Sequence, residues 1–154
     1  MQITLEPITE ERFAPFGELI AVGAAFGRTD FVARIENARP HARANLATIK
    51  LEPTPLPATI TRMEKHAYSS QAFIPLDVAR YVVIVAPDRA GAPDEAELIG
   101  FVVPSGVGVS YRAGTWHTGL MIIDRPGAFA MLVHEDGTVD DCTIVPVQSF
   151  SVVV

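Results

Sequence analysis

An all-β fold, a sandwich or barrel with few and short helices, is predicted by three observations on this 154-residue chain. Segments of about five residues rich in Val, Ile and Thr recur along it, the length and composition of β-strands. Twelve prolines and eleven glycines punctuate those segments and supply the turns between them. Evidence for helices is thin.

The elements follow in order. Thr9 can cap one helical turn that runs through Phe13 and is stopped at Pro15. Strands are expected at residues 46–51, 58–63, 81–86, 99–103, 107–111, 119–123, 129–133 and 143–147. Pro53, Pro55 and Pro57 form a stiff connector and not a domain linker, because strand patterns continue on both sides. Residues 94–98, Asp-Glu-Ala-Glu-Leu, can form a second short helix. There is no internal repeat and no low-complexity tract. A single domain over residues 1–154 is expected, long enough to bury a sizeable share of its surface.

Composition narrows the function classes. With 49% hydrophobic and 19% charged residues, a packed globule is expected in place of a disordered chain. A net charge of −6 argues against non-specific nucleic-acid binding, which needs a basic surface. It leaves small acidic substrates open, since one local Arg can bind an anion inside an acidic protein. The single Cys142 excludes an intrachain disulfide and fits a reducing compartment. No basic segment followed by an apolar core opens the chain, and no apolar run approaches the roughly 20 residues of a membrane helix. A cytoplasmic location is expected.

Two stretches carry the chemistry. Glu64-Lys65-His66 followed by Ser70-Gln71, and Tyr111-Arg112 followed by Gly114-Thr-Trp116-His117, each read as a strand, a turn and another strand. Glu64 and His66 are two apart, so on a strand both side chains point to one face. Buried together, a carboxylate and an imidazole need a partner, a metal or a ligand. Alone, Glu64-x-His66 would be a surface pair and His117 a core histidine beside Trp116. Together they point to a site. Gln71 is a poor metal ligand as a neutral amide and could instead hydrogen-bond a substrate carbonyl. Arg39, Arg43, Lys65 and Arg112 are candidate anion anchors. His41 and His134 read as solvated, and Glu135, Asp136, Asp140 and Asp141 as a polar turn that lacks calcium-loop spacing. Cys142 has no neighbouring base, and no phosphate-loop motif is present.

The spacing of these residues resembles the two cupin motifs, with Glu64 and Gln71 standing where other ligands are usual. That resemblance implies a cupin-like jelly-roll barrel, a double-stranded β-helix, in which Glu64, His66, Gln71 and His117 face one cavity. Within cupins, Glu64-Lys65-His66 followed by Ser70-Gln71-Ala-Phe-Ile-Pro75 closely resembles a segment of the ureidoglycolate lyases. Gly106-Val-Gly-Val-Ser-Tyr111 with Gly114-Thr-Trp116-His117 resembles a second, and the opening from Ile8 to Ile20 resembles the first strand region. Three positions depart from the family pattern: Thr118 and Arg112 replace histidines, and Val133-His134 stands where Asp-Arg is usual.

The resemblance implies a homodimeric lyase of allantoin breakdown that splits ureidoglycolate into glyoxylate and urea. His117 or Glu64 would act as base and His66 as acid or metal ligand. Ser70, Gln71 and Tyr111 would contact substrate, and Arg112 or Lys65 would neutralise its carboxylate. Glu64, His66, Gln71 and His117 could together hold nickel or zinc. Two other classes stand beside this reading: a different metal-dependent cupin enzyme on a small 2-hydroxy or 2-oxo acid, and a non-catalytic small-molecule-binding cupin.

Overall fold

A computed structural model describes residues 1–31 and 35–154. The N-terminal segment supplies β1 (Gln2–Thr4), β2 (Glu6–Pro7), the one-turn helix α1 (Glu10–Phe13) and β3 (Gly17–Ala21). Thr9 caps α1 as expected, its Oγ1 accepting from the Arg12 N–H at 3.2 Å. The chain then runs through β4 (Arg43–Leu51), the three-proline connector, β5 (Ala58–Lys65), β6 (Gln71–Asp77) and β7 (Arg80–Ala86). A small hairpin follows, β8 (Asp88–Arg89) with β9 (Ala92–Pro93). The helix expected at 94–98 is a single 3-10 turn over Glu95–Glu97, because Leu98 is already extended into the next strand. That strand is β10 (Ile99–Pro104), followed by β11 (Val107–Tyr111), β12 (Trp116–His117), β13 (Met121–Ile123), β14 (Gly127–Glu135) and β15 (Thr143–Val153).

Two sheets pack face to face. The larger runs in the order β1-β15-β5-β12-β7-β10-β2, with β13 also paired to β7, and the smaller in the order β3-β11-β6-β14-β4. This is an all-β, jelly-roll architecture of the class expected. β7 is buried from Tyr81 to Ala86 on both faces, which explains its unbroken apolar run. Tyr81, Val83 and Val85 meet Phe73, Phe101, Val109 and Phe129 between the sheets. Val82 and Ile84 pack on the opposite side with Leu5, Phe150 and Val152. Pro75 is tolerated in β6 because the ladder with β11 covers only Gln71 to Phe73, and on the β14 side the register shifts beside its partner Phe129.

The short β12 decides where the chemistry lies. It is held between β5 and β7, with His117 opposite Glu64 on one side and Val85 on the other. Gly114, at φ +82°, turns the chain out of β11 towards β12, and its N–H donates to the His66 carbonyl at 2.8 Å. One turn thereby brings both motif stretches together.

Candidate active site

Glu64, His66 and His117 converge at one place, each offering a ligand atom within 4.8 Å of the others. Residues directly opposite on antiparallel strands share a face, so the Glu64–His117 pairing aims both side chains the same way. His117 Nε2 lies 3.6 Å from Glu64 Oε1. His66 reaches the cluster from just past the end of β5, and its ring stacks on that of His117 with centroids 5.8 Å apart. The buried Tyr111 ring also stacks on His117, with centroids 4.2 Å apart. His117 is packed against both rings and only 2% exposed.

Backbone carbonyls set the tautomers. His66 Nδ1 lies 2.7 Å from the Asp141 carbonyl, and His117 Nδ1 lies 2.9 Å from the Thr115 carbonyl. A carbonyl oxygen only accepts, so each Nδ1 carries a proton, and a ring in its neutral form then presents a lone pair at Nε2. Both Nε2 atoms are buried without a hydrogen-bond partner. Metal-binding histidines are commonly held in this way, one nitrogen bonded to a carbonyl and the other turned to the ion. A tetrahedral ion with bonds of about 2.1 Å has ligand atoms about 3.4 Å apart, close to the observed Glu64–His117 separation. The donor set of two imidazoles and a carboxylate fits a divalent cation.

Charge follows from surroundings. The Glu64 carboxyl is held below its usual range, chiefly by His117 in near hydrogen-bond contact, while partial burial opposes the effect. His66 is pushed down by burial and then by the neighbouring His117, which favours its neutral form. At neutral pH the site holds an ionised carboxylate beside a neutral His66.

Gln71 opposes Tyr111 across the smaller sheet, so it faces the interior on the side Tyr111 uses to cover His117. Its Nε2 donates to Met131 Sδ at 3.4 Å, and its buried Oε1 has no partner. A thioether cannot donate, so the amide must turn its oxygen away from Met131.

A family model described as Ureidoglycolate lyase matches residues 1–154. The chain belongs to the ureidoglycolate lyase family. Its relatives include the ureidoglycolate lyase of Burkholderia cepacia, 33% identical over 95% of this chain and 86% of that protein. Those of Pseudomonas syringae pv. tomato and Chelativorans sp. are 32% and 35% identical, over 91% and 82% of this chain and 86% of each protein. Among solved structures, a dTDP sugar isomerase from Desulfovibrio desulfuricans G20 has a TM-score of 0.52 at 15% identity, covering 85% of this chain and 82% of that one. That likeness concerns the fold alone.

Other residues singled out by the likeness to ureidoglycolate lyases take different places. Lys65 Nζ bonds Asp88 at 2.8 Å and lies 4.4 Å from the Trp116 ring centre, so it follows Trp116 to the face opposite His117. Arg112 is half exposed, 3.9 Å from Glu18, in a surface hollow lined by Glu10, Ala14 and Leu19. Neither cation is gathered with the triad. Ser70 Oγ accepts from the Glu36 N–H at 2.9 Å and so ties down a neighbouring loop. Thr118 is buried, as His117 is. The carbonyls of Thr115 and Asp141 and the Met131 thioether escaped sequence reasoning. Backbone carbonyls have no signature in a sequence, and Met131 looks like any apolar strand residue.

Proposed function

We propose that this protein cleaves ureidoglycolate to glyoxylate and urea, as a step of allantoin breakdown, with Glu64, His66 and His117 at its catalytic centre. The reading is carried by two buried imidazoles and a carboxylate converging in a chain matched along its length by the ureidoglycolate lyase family.

The electrostatics support a metal. Among the described residues, the site offers acceptors: two Nε2 atoms, the Glu64 carboxylate and the Gln71 amide oxygen. An anionic substrate would be repelled by Glu64 unless a cation lay between them. Glu64, His66 and His117 would hold that ion, nickel or zinc by the preference of imidazole donors, and Gln71 would offer its unpartnered amide oxygen to the substrate or the ion. When bound, such an ion supplies positive charge for the substrate oxygens and acidifies the hydroxyl.

The side chains then manage the proton. Cleavage removes the carbinol hydroxyl proton, forms the carbonyl of glyoxylate, breaks the carbon–nitrogen bond and protonates the departing urea nitrogen. Glu64, ionised and with a second oxygen beyond the one facing His117, accepts the hydroxyl proton and returns it to that nitrogen. The Tyr111 ring shields His117 from water.

The same reading makes the protein a cytoplasmic, single-domain homodimer. No helix among the described residues is long and apolar enough to cross a membrane. Leu46 and Ile74, 74% and 44% exposed on the outer face of the smaller sheet, support a contact between copies. Purified protein should release glyoxylate from ureidoglycolate, lose that activity to a chelator, and regain it with nickel or zinc. No turnover with either metal overturns the assignment.

A further inference from the structure

The acidic turn at residues 136–141 is braced by an arginine from the other end of the chain. Arg39, its side chain only 11% exposed, places Nη1 2.9 Å from Asp136 and Nη2 2.6 Å from Asp141. Its guanidinium also lies 5.3 Å from the Tyr68 ring centre, two residues beyond His66. The Asp141 carboxylate is held further, accepting from the Asp136 N–H at 2.9 Å and the Gly137 N–H at 2.7 Å. The carbonyl of this same Asp141 takes the Nδ1 proton of His66 at 2.7 Å.

We propose that Arg39 is a positioning residue for His66, acting through the Asp141 carbonyl, and so for the cleavage assigned above. Two carboxylates in one tight turn repel each other, and the guanidinium charge lying between them offsets that repulsion, while the hydrogen bond from Nη2 to Asp141 fixes the Asp141 end of the turn. The angle places the carbonyl. The carbonyl decides which His66 nitrogen carries the proton. If the turn opens, the alternative tautomer places an N–H where the site now presents a lone pair, and a lone pair alone can hold a metal. Arg39 thus governs the chemistry of an imidazole it does not touch.

The proposal rests on the lyase reading only for its activity arm. Nitrogen-15 spectra of histidine-labelled protein read the His66 tautomer directly, and competition with a chromophoric chelator reads zinc affinity. Wild-type His66 is expected as a single Nδ1–H tautomer. Arg39→Met should give a mixture, weaken zinc binding about tenfold or more, and lower kcat similarly with KM within about threefold, the scale of lost outer-sphere support. Arg80→Met, which breaks an exposed ion pair with Asp124, should change none of these. Arg39→Lys keeps the charge but meets one carboxylate at a time, and should show a smaller change in the same direction. It also serves if the Met variant does not fold. A single Nδ1–H tautomer in a folded Arg39 variant overturns the proposal, whatever its activity. Absence of lyase activity in the wild type sinks the functional assignment alone, because the tautomer and zinc measurements still decide the role of Arg39.

Discussion

Replacing His117 in two ways separates its chemistry from its packing. His117→Ala removes a ring stacked on Tyr111 at 4.2 Å and on His66 at 5.8 Å, and leaves the buried Thr115 carbonyl without its donor. The lost hydrogen bond contributes about 1 kcal/mol, and the lost ring contact with Tyr111 about 1 kcal/mol more. The cavity adds a further amount, for a total of roughly 3 kcal/mol. His117→Asn is different, because its side-chain N–H sits near the former Nδ1 and can still donate to Thr115. Its stability loss should be about 1 kcal/mol. Neither variant retains an Nε2 lone pair, so both should lose roughly 10²-fold or more in kcat. Denaturant unfolding measures the first quantity and coupled glyoxylate detection the second. Two activities in proportion to the two stabilities would mean that His117 matters only as packing. An Ala variant within tenfold of wild type would refute a catalytic His117.

Three other outcomes are expected. Arg112→Ala should leave KM for ureidoglycolate within about twofold, because Arg112 faces Glu18 and not the triad; a tenfold rise would mean that the side chain swings in to meet substrate. Because burial lowers the His66 pKa in the fold, the unfolded chain binds the extra proton more readily, so stability should fall as pH drops below about 6.5 towards the lowered value. His66→Asn should flatten that limb in pH-dependent unfolding, and an unchanged limb would assign it to another group. Zinc at about 100 times its dissociation constant should raise stability by about 2.7 kcal/mol. Thermal unfolding of Glu64→Gln should show most of that gain lost, and an equal shift would place the ion elsewhere.

Much of this protein was legible without its fold. The Val, Ile and Thr runs located much of the sheet, since alternation and turn residues are local properties, but they included neither β3 nor β6, whose Gly17-Glu18 and Gln71-Ala72 starts carry no such run. The likeness at Gln71-Ala-Phe-Ile-Pro75 and Trp116-His117 pointed to the family that the whole chain matches. Glu64, His66 and His117 could be nominated because imidazole and carboxylate chemistry belongs to the side chain itself. What a sequence lacks is direction and partnership across long separations. Lys65 and Glu64 are neighbours in the chain, yet one lies by Trp116 and Asp88 and the other by His117, because successive residues on a strand face opposite ways. Arg112 resembled an anion anchor until β3 brought Glu18 to it. Arg39 and Asp141, 102 residues apart, become partners only when β4, β6 and β14 are paired. The tautomer of His66 depends on a backbone carbonyl, an atom every residue owns, so only the tertiary structure could decide which one it meets.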